Sequence, residues 1–196
     1  MTENNINKLT TSIYSFELFK TESQKYWVNV ELECCDGLQI QPGTKWNKGL
    51  SENDLKDFQK KLGIEFTPSL KNYFKTMNGL DKLEIDINSY SGDPEFGICM
   101  AKYPESINDI KNSVESVFES FEANISNEFV PNIFPYYGNR YLILEQKEIV
   151  VSIMNDIVYW SENLCKGLAM DIFEVNHRKL NNKEIIRDNF WNKLVL

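Results

Sequence analysis

A chain of 196 residues with 42% hydrophobic and 13% aromatic side chains can bury one substantial core, which excludes intrinsic disorder. Nothing resembling a Pro/Gly/Ser linker, a secretion signal or a run of about 18 apolar residues occurs in it, so the expectation is a single cytoplasmic domain over residues 1–196 with no membrane contact. The net charge of −8 is confined to the middle: residues 81–128 hold eleven acidic and three basic side chains, whereas residues 1–80 hold ten of each and residues 129–196 eight of each.

In chain order, Leu9, Ile13, Phe16 and Phe19 fall at roughly helical spacing and predict a first helix within residues 5–20. Residues 26–33, YWVNVELE, alternate Tyr26, Val28, Val30 and Leu32 with Trp27, Asn29, Glu31 and Glu33, the pattern of a half-buried strand. CDGLQIQPGTKW follows as a turn-rich stretch, and residues 1–45 are either part of the core or an arm added to it. Ser51 opens a helix with the capping-box spacing SEND; Leu55, Phe58 and Leu62 line its inner face and Gly63 supplies the left-handed stop. Thr67-Pro68 starts the next helix, with Leu70, Phe74 and Met77 inside and Asn78-Gly79 as its end.

Leu83, Ile85 and Ile87 alternate with Glu84, Asp86 and Asn88, and residues 96–100 read as a second strand, so the loop between them becomes the long tip of a hairpin. A third helix begins near Ser106 with the capping spacing SIND. Ile107, Ile110, Val114, Val117, Phe118 and Phe121 form its apolar stripe, and Asp109, Glu115, Glu119 and Glu122 its other face. RYLILE, EIVVSI and DIVYW are separated by so little chain that only an antiparallel meander accommodates them. Ser161 is the expected cap of a helix burying Leu164, Leu168, Ile172 and Val175, and a last helix covers about residues 183–194. The expected class is therefore α+β: a mainly antiparallel sheet, hairpin plus three-stranded meander, packed with N-terminal, middle and C-terminal helices.

The hairpin tip, IDINSYSGDPEFG, invites a calcium reading. Counted from Asp86, however, an EF-hand loop needs an oxygen ligand where Tyr90 stands, glycine where Ser91 stands and glutamate where Gly97 stands. The single histidine, His177, has no cysteine or second histidine at zinc spacing and reads as a residue facing a helix C-terminus. Cys34, Cys35, Cys99 and Cys165 form no CxxC and read as reduced thiols. Neither GxGxxG nor GxxxxGK[ST] occurs, so no phosphate cradle, metal or cofactor is expected. Trp27, Trp46, Trp160 and Trp191 read as core or rim residues. Catalysis by a carboxylate pair leaves no local trace and ranks behind binding.

Residues 49–80, GLSENDLKDFQKKLGIEFTPSLKNYFKTMNGL, resemble the helix, Leu-Gly, proline, helix, Asn-Gly pattern of the SUKH superfamily, the Smi/Knr-like proteins. Residues 137–164, YGNRYLILEQKEIVVSIMNDIVYWSENL, resemble the meander and following helix of its bacterial members. The resemblance runs from Trp46 to Phe173; Gln59 stands where many members have glutamate, and Phe66-Thr67-Pro68 where Leu-Pro is usual. It implies a non-enzymatic binding domain, most often a bacterial immunity protein that neutralises a toxin, frequently a nuclease. A second branch regulates cell-wall assembly and implies an interaction module without a toxin.

The charge distribution points the same way. An acidic middle disfavours nucleic acid, whose phosphates need a lysine or arginine stripe, and favours a basic protein partner. The rival explanation is an acidic face that only aids solubility. The expected partner-binding residues are Glu84, Asp86, Asp93 and Glu95 on the hairpin, and Asp109, Glu115 and Glu119 on the third helix.

Overall fold

The computed structural model describes residues 1–33, 37–90, 92–125, 132–145, 148–154 and 157–175, with side chains for all of these except 121–125. Helix α1 spans Glu3–Ile6 and helix α2 spans Ile13–Trp27. The stretch expected as one helix is thus two, because Thr10 and Ser12 bond locally instead: Thr10 N donates to Ser15 Oγ at 3.0 Å, and Ser12 caps α2 by accepting from Ser15 N at 3.2 Å.

The strand expected over residues 26–33 does not form: α2 takes Tyr26 and Trp27, and residues 28–33 follow as turn and irregular chain. Phe16, Phe19, Ser23 and Trp27, spaced three and four apart, form the buried face of α2, and this longer rhythm leaves Tyr26 and Val28 exposed. Trp27 packs on Trp46 with ring centroids 5.4 Å apart, and Trp46 Nε1 donates to Ser23 Oγ at 2.8 Å. Ile6, Leu9, Phe16, Phe19, Trp27 and Ile40 all belong to the main core, so residues 1–45 contribute to it and are not an added arm.

Strand β1, Trp46–Lys48, leads to helix α3, Glu52–Leu62, where Ser51 and Asp54 complete the capping box and Gly63 stops the helix at φ 73°. Gln59, the departure from the family pattern, bridges the turn: its Oε1 accepts from Phe66 N at 2.8 Å and its Nε2 donates to Leu55 O at 3.2 Å. Thr67 caps helix α4, Pro68–Thr76, with Pro68 in the first turn.

Helix α4 ends at Thr76, earlier than its apolar spacing suggests, and Met77–Leu80 forms strand β2, antiparallel to β1. Distant groups satisfy the last helical carbonyls: Leu50 N donates to Phe74 O at 2.7 Å and Lys20 Nζ to Thr76 O at 2.7 Å. A Cβ at Gly49 would lie 1.8 Å from Lys75 O, so only glycine lets that segment approach. Phe58, Phe66, Phe74 and Phe134 then make a ring cluster with centroids 5.1 to 6.2 Å apart.

Strands β3, Glu84–Asp86, and β4, Glu95–Gly97, form the hairpin, and helix α5 spans Ile107–Ile125. The meander has four strands, one more than expected: β5 Ile133–Tyr137, β6 Arg140–Ile143, β7 Ile149–Ile153 and β8 Ile157–Ser161, in that spatial order. Pro135 hides β5 from the sequence; the strand is an end strand of the sheet, where a missing N–H is tolerated. Ser161 belongs to β8, and Asn163 caps helix α6, Leu164–Ile172, by accepting from Lys166 N at 3.0 Å. The helix expected over residues 183–194 lies outside the described residues.

Both faces of the meander are covered, which explains its nearly unbroken apolar runs. Ile133, Tyr141, Ile143, Val151 and Tyr159 lie under Val117, Val114 and Phe118 of α5. Phe134, Tyr136, Leu142 and Val150 face the main core with Leu164 and Leu168 of α6. The result is an α+β fold of six helices and three antiparallel sheets among the described residues.

Candidate functional site

The hairpin tip is built by short polar side chains bonding their own backbone. Asp86 Oδ1 accepts from Asn88 N at 2.9 Å and its Oδ2 from Gly37 N at 3.0 Å, tying the tip to the preceding loop. Ser89 Oγ lies 2.9 Å from both Asp93 O and Glu95 Oε1, and Gly92 turns the chain at φ 81°. Asp93 and Glu95 are exposed, and Tyr90 between the strands is wholly in solvent.

Glu84 does not belong on that surface. It is 2% exposed; its carboxylate accepts from Met100 N at 3.1 Å, and burial pushes its pKa above the ordinary carboxylate range despite that bond. Glu84 therefore anchors the hairpin to the chain leading into α5. The alternation that made it look outward places Leu83 outside instead, at 48% exposure, with Phe96 at 57% and Ile98 at 40%. The register Ile85↔Phe96 puts these apolar side chains on one face of the hairpin.

The acids expected on α5 divide between two hollows. Asp109 shares a cleft of about 180 Å³ with Ile98, Ser113 and Tyr137, at the junction of hairpin, helix and β5. Glu115 and Glu119 instead rim an apolar groove of about 480 Å³ floored by Leu62, Ile64, Val114 and Phe118. Asp109 thus lies beside Ile98 at the foot of the hairpin, while Glu115 and Glu119 line a different hollow. Among the described residues no three His, Cys, Asp or Glu side chains converge to hold a metal ion.

One polar cluster escaped sequence reasoning. Arg140 of β6 donates from Nε to Asp171 Oδ1 at 3.1 Å and from Nη1 to Asn139 Oδ1 at 2.6 Å and Ser152 Oγ at 2.7 Å. Its guanidinium lies 3.5 Å from the Trp160 ring centroid. Tyr136 Oη donates to Asp171 Oδ2 at 3.4 Å. Burial raises Asp171 to about 6, outweighing the opposing pull of Arg140. With 5% of the Asp171 side chain and 18% of the Arg140 side chain exposed, the cluster joins α6 to the meander. Its only signal in the sequence is an arginine inside an otherwise apolar strand.

Burial pushes the Cys99 thiol up to about 12 and Cys165 higher still, so both remain protonated thiols at neutral pH. Cys34, Cys35, His177 and Trp191 lie outside the described residues. No helix among the described residues is long and apolar enough to cross a membrane. Compared with protein-family models, with curated proteins and with solved structures, the chain matches none.

Proposed function

We propose that this protein is a non-enzymatic binding protein of the SUKH kind, an immunity protein that occludes a basic, nuclease-type toxin. The observation that carries the reading is the hairpin, which combines exposed Asp93 and Glu95 with exposed Phe96 and Ile98 inside the one segment responsible for the net charge. A charged rim around apolar anchors suits protein recognition, since charge speeds encounter and apolar burial slows dissociation. A nuclease needs a basic groove for its substrate, and an acidic protein surface can fill that groove. The order α3, Gly63, Pro68, α4, meander, α6 agrees with what the family resemblance implies.

Co-expression with the product of the neighbouring gene tests the reading. Rescue of cells from that product, with co-purification of the two chains, is the expected outcome. A neighbour that is harmless and does not bind sinks the toxin reading and leaves a regulatory interaction module. On the toxin reading, D93K/E95K slows association and flattens its salt dependence; an unchanged rate and salt slope removes the hairpin from the interface.

A further inference from the structure

We infer that the outer edge of β4 is a docking edge for an extended, basic segment of a partner protein, which adds to the hairpin as a further strand with Phe96 as its apolar anchor. The inference deepens the binding function proposed above and rests on it, but its test needs no toxin.

Hydrogen-bond direction comes first. Ile85 donates from N to Gln39 O at 2.9 Å and accepts at its O from Gln39 N at 2.8 Å, so its backbone faces the segment before β1. In antiparallel pairing the N–H and C=O of one residue point the same way and successive residues alternate. Glu84 and Asp86 therefore face β4, where they are opposite Gly97 and Glu95. Phe96 and Ile98, out of phase with those partners, turn their N–H and C=O to the far edge. Among the described residues no strand pairs there.

Side chains and charge select the occupant. The inner face of the hairpin is closed: Glu84 is buried, and a Cβ at Gly97 would lie 2.5 Å from Leu38 Cδ1. The outer face leaves Leu83, Phe96 and Ile98 open beside the free edge. In strand addition, main-chain bonds supply affinity while alternate side chains meet pockets and charges, so a segment alternating apolar and basic residues matches Phe96 on one side and the exposed Asp93 and Glu95 on the other. A second copy of this chain is disfavoured, because it would set two acidic middles against each other. Pro94, which has no N–H, and Glu95 are the residue types that guard edges against self-pairing.

The test uses the full-length, isotope-labelled protein and three synthetic peptides: KVKVKVKV, the same peptide N-methylated at each valine, and EVEVEVEV. The expected result is that KVKVKVKV shifts the Phe96 and Ile98 amides and slows their hydrogen exchange. The N-methylated peptide, with equal charge but fewer donors, should bind about tenfold more weakly, and the acidic one not at all. D93K/E95K should weaken KVKVKVKV by a similar factor of about ten. Equal binding of the two basic peptides overturns the inference, since charge alone would then explain it. No binding at millimolar peptide, shifts centred on the Leu62 and Phe118 groove, or Phe96 shifts that follow protein concentration without peptide overturn it as well. Failure here leaves the rescue experiment standing, and failure of rescue leaves this edge test standing.

Discussion

The hairpin and the meander are both antiparallel, and each is held by a buried carboxylate, Glu84 within the hairpin and Asp171 of α6 against the meander, yet they are organised in opposite ways. In the meander with α6, Asp171 is enclosed with Arg140, Tyr136 and Trp160, and both sheet faces are covered. In the hairpin, Glu84 and Ile85 are buried and Asp86 is tied to Gly37, while Asp93, Glu95, Phe96 and Ile98 face water. A closed network fixes an element in place, whereas anchoring at the base of a hairpin holds its exposed residues out to solvent with few internal demands on their identity. Substitutions should therefore be costly to folding in the first region and nearly silent in the second, where their effect falls on binding.

Arg140→Ala should show the largest effect. It leaves Asp171 buried without its cation, and urea unfolding should record a loss of about 3–5 kcal/mol. A loss below about 1 kcal/mol would mean that the network does not join α6 to the sheet.

Acid–base behaviour follows next. A carboxyl whose folded-state pKa is raised binds its proton more tightly when folded, so its contribution is fully present below the ordinary value and is lost as pH rises through the raised one. For Asp171, raised from 3.8 to about 6, that window runs from about pH 4 to pH 6, with an amplitude of roughly 2–3 kcal/mol. Stability should fall across that window, and Asp171→Asn should remove most of the slope. Glu84, shifted in the same direction, should add a smaller fall that Glu84→Gln abolishes.

Gln59→Ala removes the acceptor for Phe66 N and should cost about 1 kcal/mol by the same unfolding assay. The smallest stability effect is expected at the tip, where D93K/E95K should change the unfolding free energy by less than about 0.5 kcal/mol. A loss as large as that of Arg140→Ala would show that the tip is structural and end its assignment as a binding surface.

Much of this architecture was legible because its signals are local. Ser51, Asp54 and Gly63 cap α3 by bonds that close within a turn, and the strands from Arg140 onward are too closely spaced to be other than antiparallel. The errors occur where two local rhythms compete or where distant groups intervene. The alternation in residues 26–33 is real, but the three-and-four spacing from Phe16 to Trp27 reaches the larger aromatic core. Met77 continues the apolar stripe of α4, yet Leu50 and Lys20 take the carbonyls at its end. Of the acids expected on the partner surface, Asp93 and Glu95 are exposed on the hairpin, Asp86 is half-buried, Asp109 lies in the cleft beside Ile98, Glu115 and Glu119 face another hollow, and Glu84 is interior.

The sequence by itself determined the α+β class, the caps that open α3 and α4, the antiparallel order of the later strands and the concentration of charge in one segment, because each depends on neighbours along the chain. Tertiary structure alone decided which hollow each acid of α5 lines, that Arg140 and Asp171 meet, and that Phe96 turns its backbone groups to the outer edge of β4. Those outcomes depend on which distant residue arrives to cover a face or accept a hydrogen bond. Gln39 does so for Ile85, and that pairing fixes the phase in which Glu84 and Asp86 face β4.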